Sequence, residues 1–217
     1  MRRLREADVD GRRVLVREDF NVPLQNGGVA DDFRIRAGLP TLEELMERGA
    51  RTAVCSHLGR PGGQRDESAS LAPVAERLGQ LLGREVPLAD DCVGPAAEDA
   101  VGSLGDGEIV LLENTRFHPG EKENAPGFAE QLAALADVYV NDAFATAHRV
   151  HASTEGVAHR LMGYAGQLME REIDTLGRVR DNPSEPYVAA LGGAKIADKI
   201  EVIDRLATQV ETLLIGG

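Results

Sequence analysis

The chain has 217 residues, 42% of them hydrophobic, enough for a sizeable core and slightly more than one ordinary domain. A formal net charge of −12 with a sequence pI near 4.9 argues against nucleic acid or an anionic membrane surface as the main partner. The N-terminal MRRLREADVDGRR lacks the apolar stretch of a secretory signal, no apolar run approaches a membrane span, and Cys55 and Cys92 form no motif, so a reducing cytoplasm is expected.

In chain order, VLVRED (14–19) reads as a strand. Pro40 is expected to open a helix with Leu39, Leu42, Leu45 and Met46 on one face, stopped by Gly49. RTAVCSH (51–57) is the next strand, in which Cys55 reads as core. Ser70 can cap a helix bearing Leu71, Val74, Leu78, Leu81 and Leu82, ending at Gly83. EIVLLEN (108–114) is a third strand, Phe128, Leu132 and Leu135 mark a helix, and DVYVND (137–142) is a fourth strand. This alternation implies a doubly wound, Rossmann-like parallel α/β sheet with helices on both faces. LMEREIDTLGRVRDNP (168–183) then reads as a helix with Met169, Ile173, Leu176 and Val179 inward. PYVAALGG starts a new strand, Ile196, Ile200, Ile203 and Leu206 a helix, and ETLLIGG another strand. A single βαβ unit cannot bury its own core, so the second α/β domain is expected to be incomplete.

Ligands of open parallel sheets bind at the carboxyl ends of the strands. Those ends carry Asp19-Phe20-Asn21, Ser56-His57-Leu58-Gly59-Arg60, Asn114-Thr115-Arg116-Phe117-His118, and Asn141-Asp142 running on to His148-Arg149-Val150-His151. Four of the five histidines and three arginines thus fall on one edge of an acidic protein, and Arg34 can join them. Each residue alone fits an ordinary loop. Together they call for an anion, because a cationic cluster repels itself unless one balances it. Asp19 and Asn21 suit ligand hydroxyls or hold an arginine. A small phosphorylated hydroxy acid fits. Cys55/His57 and His148/His151 do not complete a metal set, so no metal site is expected, and there is neither a Walker loop, a G-x-G-x-x-G turn nor a G-x-S-x-G elbow. Lysine occurs only as Lys122, Lys195 and Lys199, two of them inside GGAKIADK.

VREDFNVPL, DDFRIRAGLPT, SHLGRPGG, SLAPVAERL, LLENTRFHPGE, YVNDAFATAHRVHAST and LGGAKIADKI, in this order and over essentially the whole chain, closely resemble the phosphoglycerate kinase family. The resemblance implies two Rossmann-like domains joined by a helix and closing about a hinge. It places a 3-phosphoglycerate-binding domain at 1–167, the hinge helix at 168–184 and the start of a nucleotide domain at 185–217. By the same resemblance Asp19, Phe20, Asn21, Arg34, His57, Leu58, Gly59, Arg60, Arg116 and Arg149 bind substrate. Arg34 and Lys195 stabilise the phosphoryl group in flight, and Lys195 and Lys199 face the nucleotide. The implied substrates are 3-phosphoglycerate or 1,3-bisphosphoglycerate and ADP or ATP, with Mg2+ arriving on the nucleotide, and the full-length protein is a monomer. Glu18 stands where the family commonly has an apolar residue, and Ala145 where glycine is common. Measured against the family the chain is truncated, so little or no turnover is expected of it. The competing reading is a non-catalytic Rossmann-like anion-binding module, against which the lysine pair of GGAKIADK weighs.

Overall fold

The structure, a computed structural model, describes residues 1–193 and 199–216. It divides into two compact units, Met1–Glu172 and Ile173–Gly217.

The first unit is built on five parallel strands: β1 (Arg13–Arg17), β4 (Arg51–Cys55), β5 (Ile109–Leu111), β6 (Val138–Asn141) and β7 (Gly163–Ala165), in the order β5-β4-β1-β6-β7. The central β1 pairs Val14 with Thr52 on one side and with Val138 on the other. The short strands β2 (Leu24–Gln25) and β3 (Gly28–Val29) form a separate hairpin. Helices α1 (Phe33–Glu47), α2 (Ala72–Leu82), α3 (Pro95–Gly102), α4 (Pro119–Lys122) and α5 (Pro126–Ala134) complete the unit.

Alternation along the strands explains the layers. Val14, Val16 and Val54 join Ile35, Leu42, Leu45, Val74 and Leu78, from α1 and α2, in one core. Leu15, Ala53 and Cys55 join Ala97, Val101, Phe128 and Leu132, from α3 and α5, in the other. Successive strand residues point to opposite faces, so a sheet covered on both sides needs apolar residues in succession, which is what RVLVR and RTAVC supply apart from the terminal arginines and Thr52. The doubly wound α/β architecture is the expected one.

Three differences from the sequence expectation have physical causes. Pro40 lies inside α1, not at its start. The helix begins at Phe33, where the Asp31 side chain accepts the Phe33 N–H at 2.8 Å, and the first half exposes Phe33 and Arg34, which hides its period. Helix α3 and strand β7 were not anticipated. The latter is only three residues long and is held as a strand by pairing Val140 with Tyr164. The third difference concerns α6 (Gln167–Asp181): Met169 is buried as expected, whereas Ile173, Leu176 and Val179 are 39%, 50% and 40% exposed.

The second unit holds most of α6 and a parallel pair, β8 (Val188–Leu191) and β9 (Thr212–Ile215), connected through α7 (Ile200–Ala207). This is the expected βαβ unit. Ile196 lies outside the described residues. Val188, Ile200, Val202, Leu214 and Ile215 are all at least half exposed.

Candidate functional site: a cationic cleft at the carboxyl ends of the strands

In the first unit the strand order reverses beside β1: the chain steps outward through β4 and β5, then returns to lay β6 on the other side. The carboxyl ends near such a reversal form a crevice. A cavity of about 780 Å³ opens there, lined by Asn21, Gly59, Arg60, Arg116, Arg149 and His151 and, further along, by Gly63, His118 and Lys122.

The loops around it are tied to one another by polar side chains. Asn21 Oδ1 accepts the Gly59 N–H at 2.9 Å, joining the loop after β1 to the loop after β4. Ser56 Oγ donates to the Glu18 carbonyl at 2.8 Å and accepts the Phe20 N–H at 2.9 Å. Asn114, fully buried, donates through Nδ2 to the Leu58 and Ala69 carbonyls, both at 2.8 Å, and its Oδ1 accepts the Arg116 N–H at 3.0 Å. The Ser56 and Asn114 bonds satisfy backbone groups that would otherwise be buried without partners, whereas the Asn21–Gly59 bond is exposed.

The cations are crowded. Arg116 Nη1 donates to the Gly59 carbonyl at 2.7 Å, and its Nε is buried with no partner among the described residues. Desolvation, then Arg149 and Arg17, pull the Arg116 pKa below its ordinary value. Burial lowers His151 as well, against the opposing pull of Glu121. Arg34 pairs with Asp19, and its side chain is 45% exposed; it does not line the cavity. Phe20, His57 and Leu58 are buried and do not line the cavity.

Asn21, Gly59, Arg60, Arg116 and Arg149 therefore share the cavity wall, Asp19 and Arg34 form a pair in the first unit, and Phe20, His57 and Leu58 support the loops. Lys195 lies outside the described residues. Lys199 belongs to the second unit, immediately before α7, with its ammonium nitrogen over Gly193.

Sequence reasoning passed over two charged residues. Arg17, 1% exposed at the end of β1, donates from Nε to Ser153 Oγ at 2.8 Å and from Nη1 to the Glu18 carbonyl. Ser153 Oγ in turn donates to the fully buried Glu121 at 2.6 Å, which also accepts the Ser153 N–H at 2.9 Å. An arginine in a buried strand and a glutamate in HPGEK look like ordinary surface charges until the fold shows Ser153 bridging them.

The comparisons with known proteins agree with the fold. Residues 4–217 match the family model described as phosphoglycerate kinase. The chain belongs to the phosphoglycerate kinase family. It is 58% identical over 214 residues to the phosphoglycerate kinase of Moorella thermoacetica and 55% identical over 214 residues to that of Pelotomaculum thermopropionicum; each match covers 99% of this chain. Among solved structures it resembles the phosphoglycerate kinase of Coxiella burnetii, with a TM-score of 0.88 at 40% identity over 99% of this chain. It also resembles that of Pyrococcus horikoshii, with a TM-score of 0.89 at 33% identity over all of it. The chain spans 54% of the length of both curated relatives, and 54% and 55% of the two solved chains.

Proposed function

We propose that the first unit is the 3-phosphoglycerate or 1,3-bisphosphoglycerate side of a glycolytic phosphoglycerate kinase, which passes a phosphoryl group reversibly between 1,3-bisphosphoglycerate and ADP. The observation that carries this reading is the buried Arg116 Nε, without a partner among the described residues, beside a cavity shared with Arg60 and Arg149. A guanidinium matches phosphate oxygens in two-pronged fashion, and three of them around one cavity suit a phosphate better than a lone carboxylate.

In this reading the phosphate of the substrate sits among Arg60, Arg116, Arg149 and the Gly59 loop, and Asn21 and Asp19 meet its hydroxyl end. The substrate carboxylate is already a nucleophile, so the protein supplies positioning and neutralisation of charge on the transferring group, with no general base. Arg34 supplies part of that neutralisation from the first unit. Lys195 and Lys199 supply it from the nucleotide side, where Mg2+ enters as part of Mg-ADP or Mg-ATP. The domain assignment that goes with it is substrate domain at 1–167, hinge helix at 168–184 and nucleotide-domain start at 185–217, supported by the division of the chain after Glu172, within α6. A cytoplasmic setting is supported by the two free, buried thiols of Cys55 and Cys92.

The test is isothermal titration of the chain with 3-phosphoglycerate, repeated for Arg34→Ala/Arg149→Ala. Saturable binding lost in the double variant supports the assignment. Saturation by inorganic phosphate as tight as that by 3-phosphoglycerate would reduce the site to a general anion pocket.

A further inference from the structure

Beyond the cationic cleft, a second cluster joins two segments distant in sequence. Asp91 and Cys92 lie just before α3, and His118 lies just before α4. His118 Nε2 and Asp91 Oδ1 are 2.6 Å apart. One donor atom from each of Asp91, Cys92 and His118 lies within 4.8 Å of the other two.

We propose that Asp91, Cys92 and His118 form a binding site for a divalent cation of the zinc class, with a water or solvent-derived oxygen as fourth ligand.

The donor chemistry points to that class. One thiolate, one imidazole and one carboxylate are a mixed sulfur, nitrogen and oxygen set, which suits a borderline-soft ion and does not suit Mg2+ or Ca2+. Zinc bonds of about 2.0–2.3 Å in a tetrahedron place neighbouring donors roughly 3.3–3.6 Å apart. The cluster brackets that spacing, with the His118–Asp91 contact shorter and the outer limit longer. Coordination replaces the His118–Asp91 contact by two bonds to the ion and takes Cys92 as thiolate, its proton passing to solvent.

The surroundings hold the donors in place. The His118 ring stacks on Phe128 with centroids 5.2 Å apart. The next residue, Pro119, is gripped by Gly63, whose φ of +85° and lack of a side chain allow the approach; a Cβ there would lie 3.0 Å from Pro119 Cβ. The Cys92 N–H donates to Asp91 Oδ1 at 2.6 Å, which fixes the carboxylate against the thiol residue's own backbone. Such support of ligand orientation is what a binding site needs and an accidental cluster lacks. Access exists too: the Asp91 and His118 side chains are 40% and 31% exposed, and His118 borders the cavity, while Cys92 lies buried behind them. A bound ion would clamp the segment before α3 to the turn that carries Arg116.

The experiment is titration of the metal-free chain with Co2+, a spectroscopic substitute for zinc. The expected result is a thiolate-to-cobalt charge-transfer band that saturates at one equivalent and is displaced by Zn2+. The band should vanish in Cys92→Ser and persist in Cys55→Ala, which removes the other buried thiol. In His118→Gln, at a position whose side chain is 31% exposed, Co2+ affinity should fall at least tenfold. No band in the wild-type chain overturns the proposal, as does a band unchanged in Cys92→Ser. Unchanged affinity in His118→Gln does so too, and that variant decides the matter if Cys92→Ser fails to fold.

Discussion

Arg17 Nη2 lies 3.0 Å from His57 Nδ1, and both side chains are buried, 1% and 2% exposed. The guanidinium can only donate, so Nδ1 accepts and the neutral ring carries its proton on Nε2. The contact joins the carboxyl ends of two neighbouring strands, β1 and β4, beneath the cleft. It also makes a charged imidazole costly: burial first, then Arg17, Arg116, Arg149 and His151, push the His57 pKa down to about 2.

The consequence is a pH dependence of stability with a definite sign. The unfolded chain takes up a proton at this residue below about pH 6.5, and the folded chain does not until about pH 2. The unfolded state therefore holds more protons in that window, and folding stability falls as pH falls through it. His57→Gln, which keeps a side-chain acceptor, should flatten the acid limb of a stability curve by up to about 1.4 kcal/mol per pH unit. Denaturant melts at several acidic pH values read this directly; identical slopes for variant and wild type would show that His57 titrates in the folded protein as it does unfolded.

Glu18 works in the opposite direction. It is 1% exposed, its Oε1 has no partner among the described residues, and it packs against Gly38 of α1. Burial, with Asp142 adding and Arg17 opposing, raises its carboxyl well above the usual range. The folded chain thus holds a proton here that the unfolded chain loses above about pH 4.5, and the stabilising contribution disappears as pH rises through the folded value. Glu18→Gln should leave stability near wild type in mild acid and gain over it at alkaline pH, by roughly 1–3 kcal/mol. A gain independent of pH would assign the effect to packing alone.

Asp142 anchors the start of α6. Its Oδ1 accepts the Met169 N–H at 2.9 Å, its Oδ2 accepts Thr41 Oγ1–H at 2.6 Å, and Thr41 Oγ1 accepts the Gln167 N–H at 2.8 Å. Gly166 leaves room for this carboxyl; an added Cβ would overlap it. Gly166→Ala is expected to cost about 1–3 kcal/mol, since the displaced Asp142 is fully buried and has nowhere to go. Thermal melts supply the number. Amide exchange should locate the loosening at Gln167 and Met169, and loosening spread evenly over the first unit would contradict the anchoring role.

Removing one cation from the cleft should weaken ligand binding without weakening the empty fold. The Arg149 guanidinium has no hydrogen bond or ion pair among the described residues, while it depresses the pKa values of Arg116 and His57. In Arg149→Ala the ligand-free chain should be as stable as wild type or slightly more so at low salt. Affinity for 3-phosphoglycerate should drop about tenfold to a hundredfold, the worth of one charge-assisted contact. A variant that melts earlier with affinity intact would move Arg149 from ligand binding to structure.

The sheet was readable from residues alone where strands are apolar on both faces, as in β1, β4 and β6, because burial on both sides leaves a continuous local signature. Pro40 misled the reading of α1, since a proline is a start signal by propensity and an interior residue only where packing of Ile35, Leu42 and Leu45 outweighs the lost hydrogen bond. Likewise β7 exists only as a partner of β6. The cationic edge was visible because strand ends are also ligand ends, so Asn21, Arg60, Arg116 and Arg149 announced themselves by position and charge. Which residues face the cavity and which support it was decided by tertiary contacts: Arg17, Glu121 and Ser153 form one buried chain, and His57 turns under the loops to meet Arg17. The same holds for Asp91, Cys92 and His118, which meet only because the polypeptide passes through α3 and β5 between them. Hydrophobic period and charge are local properties that a linear string displays. The pairing of polar groups across distant segments depends on desolvation and reach, which exist only once the chain is packed.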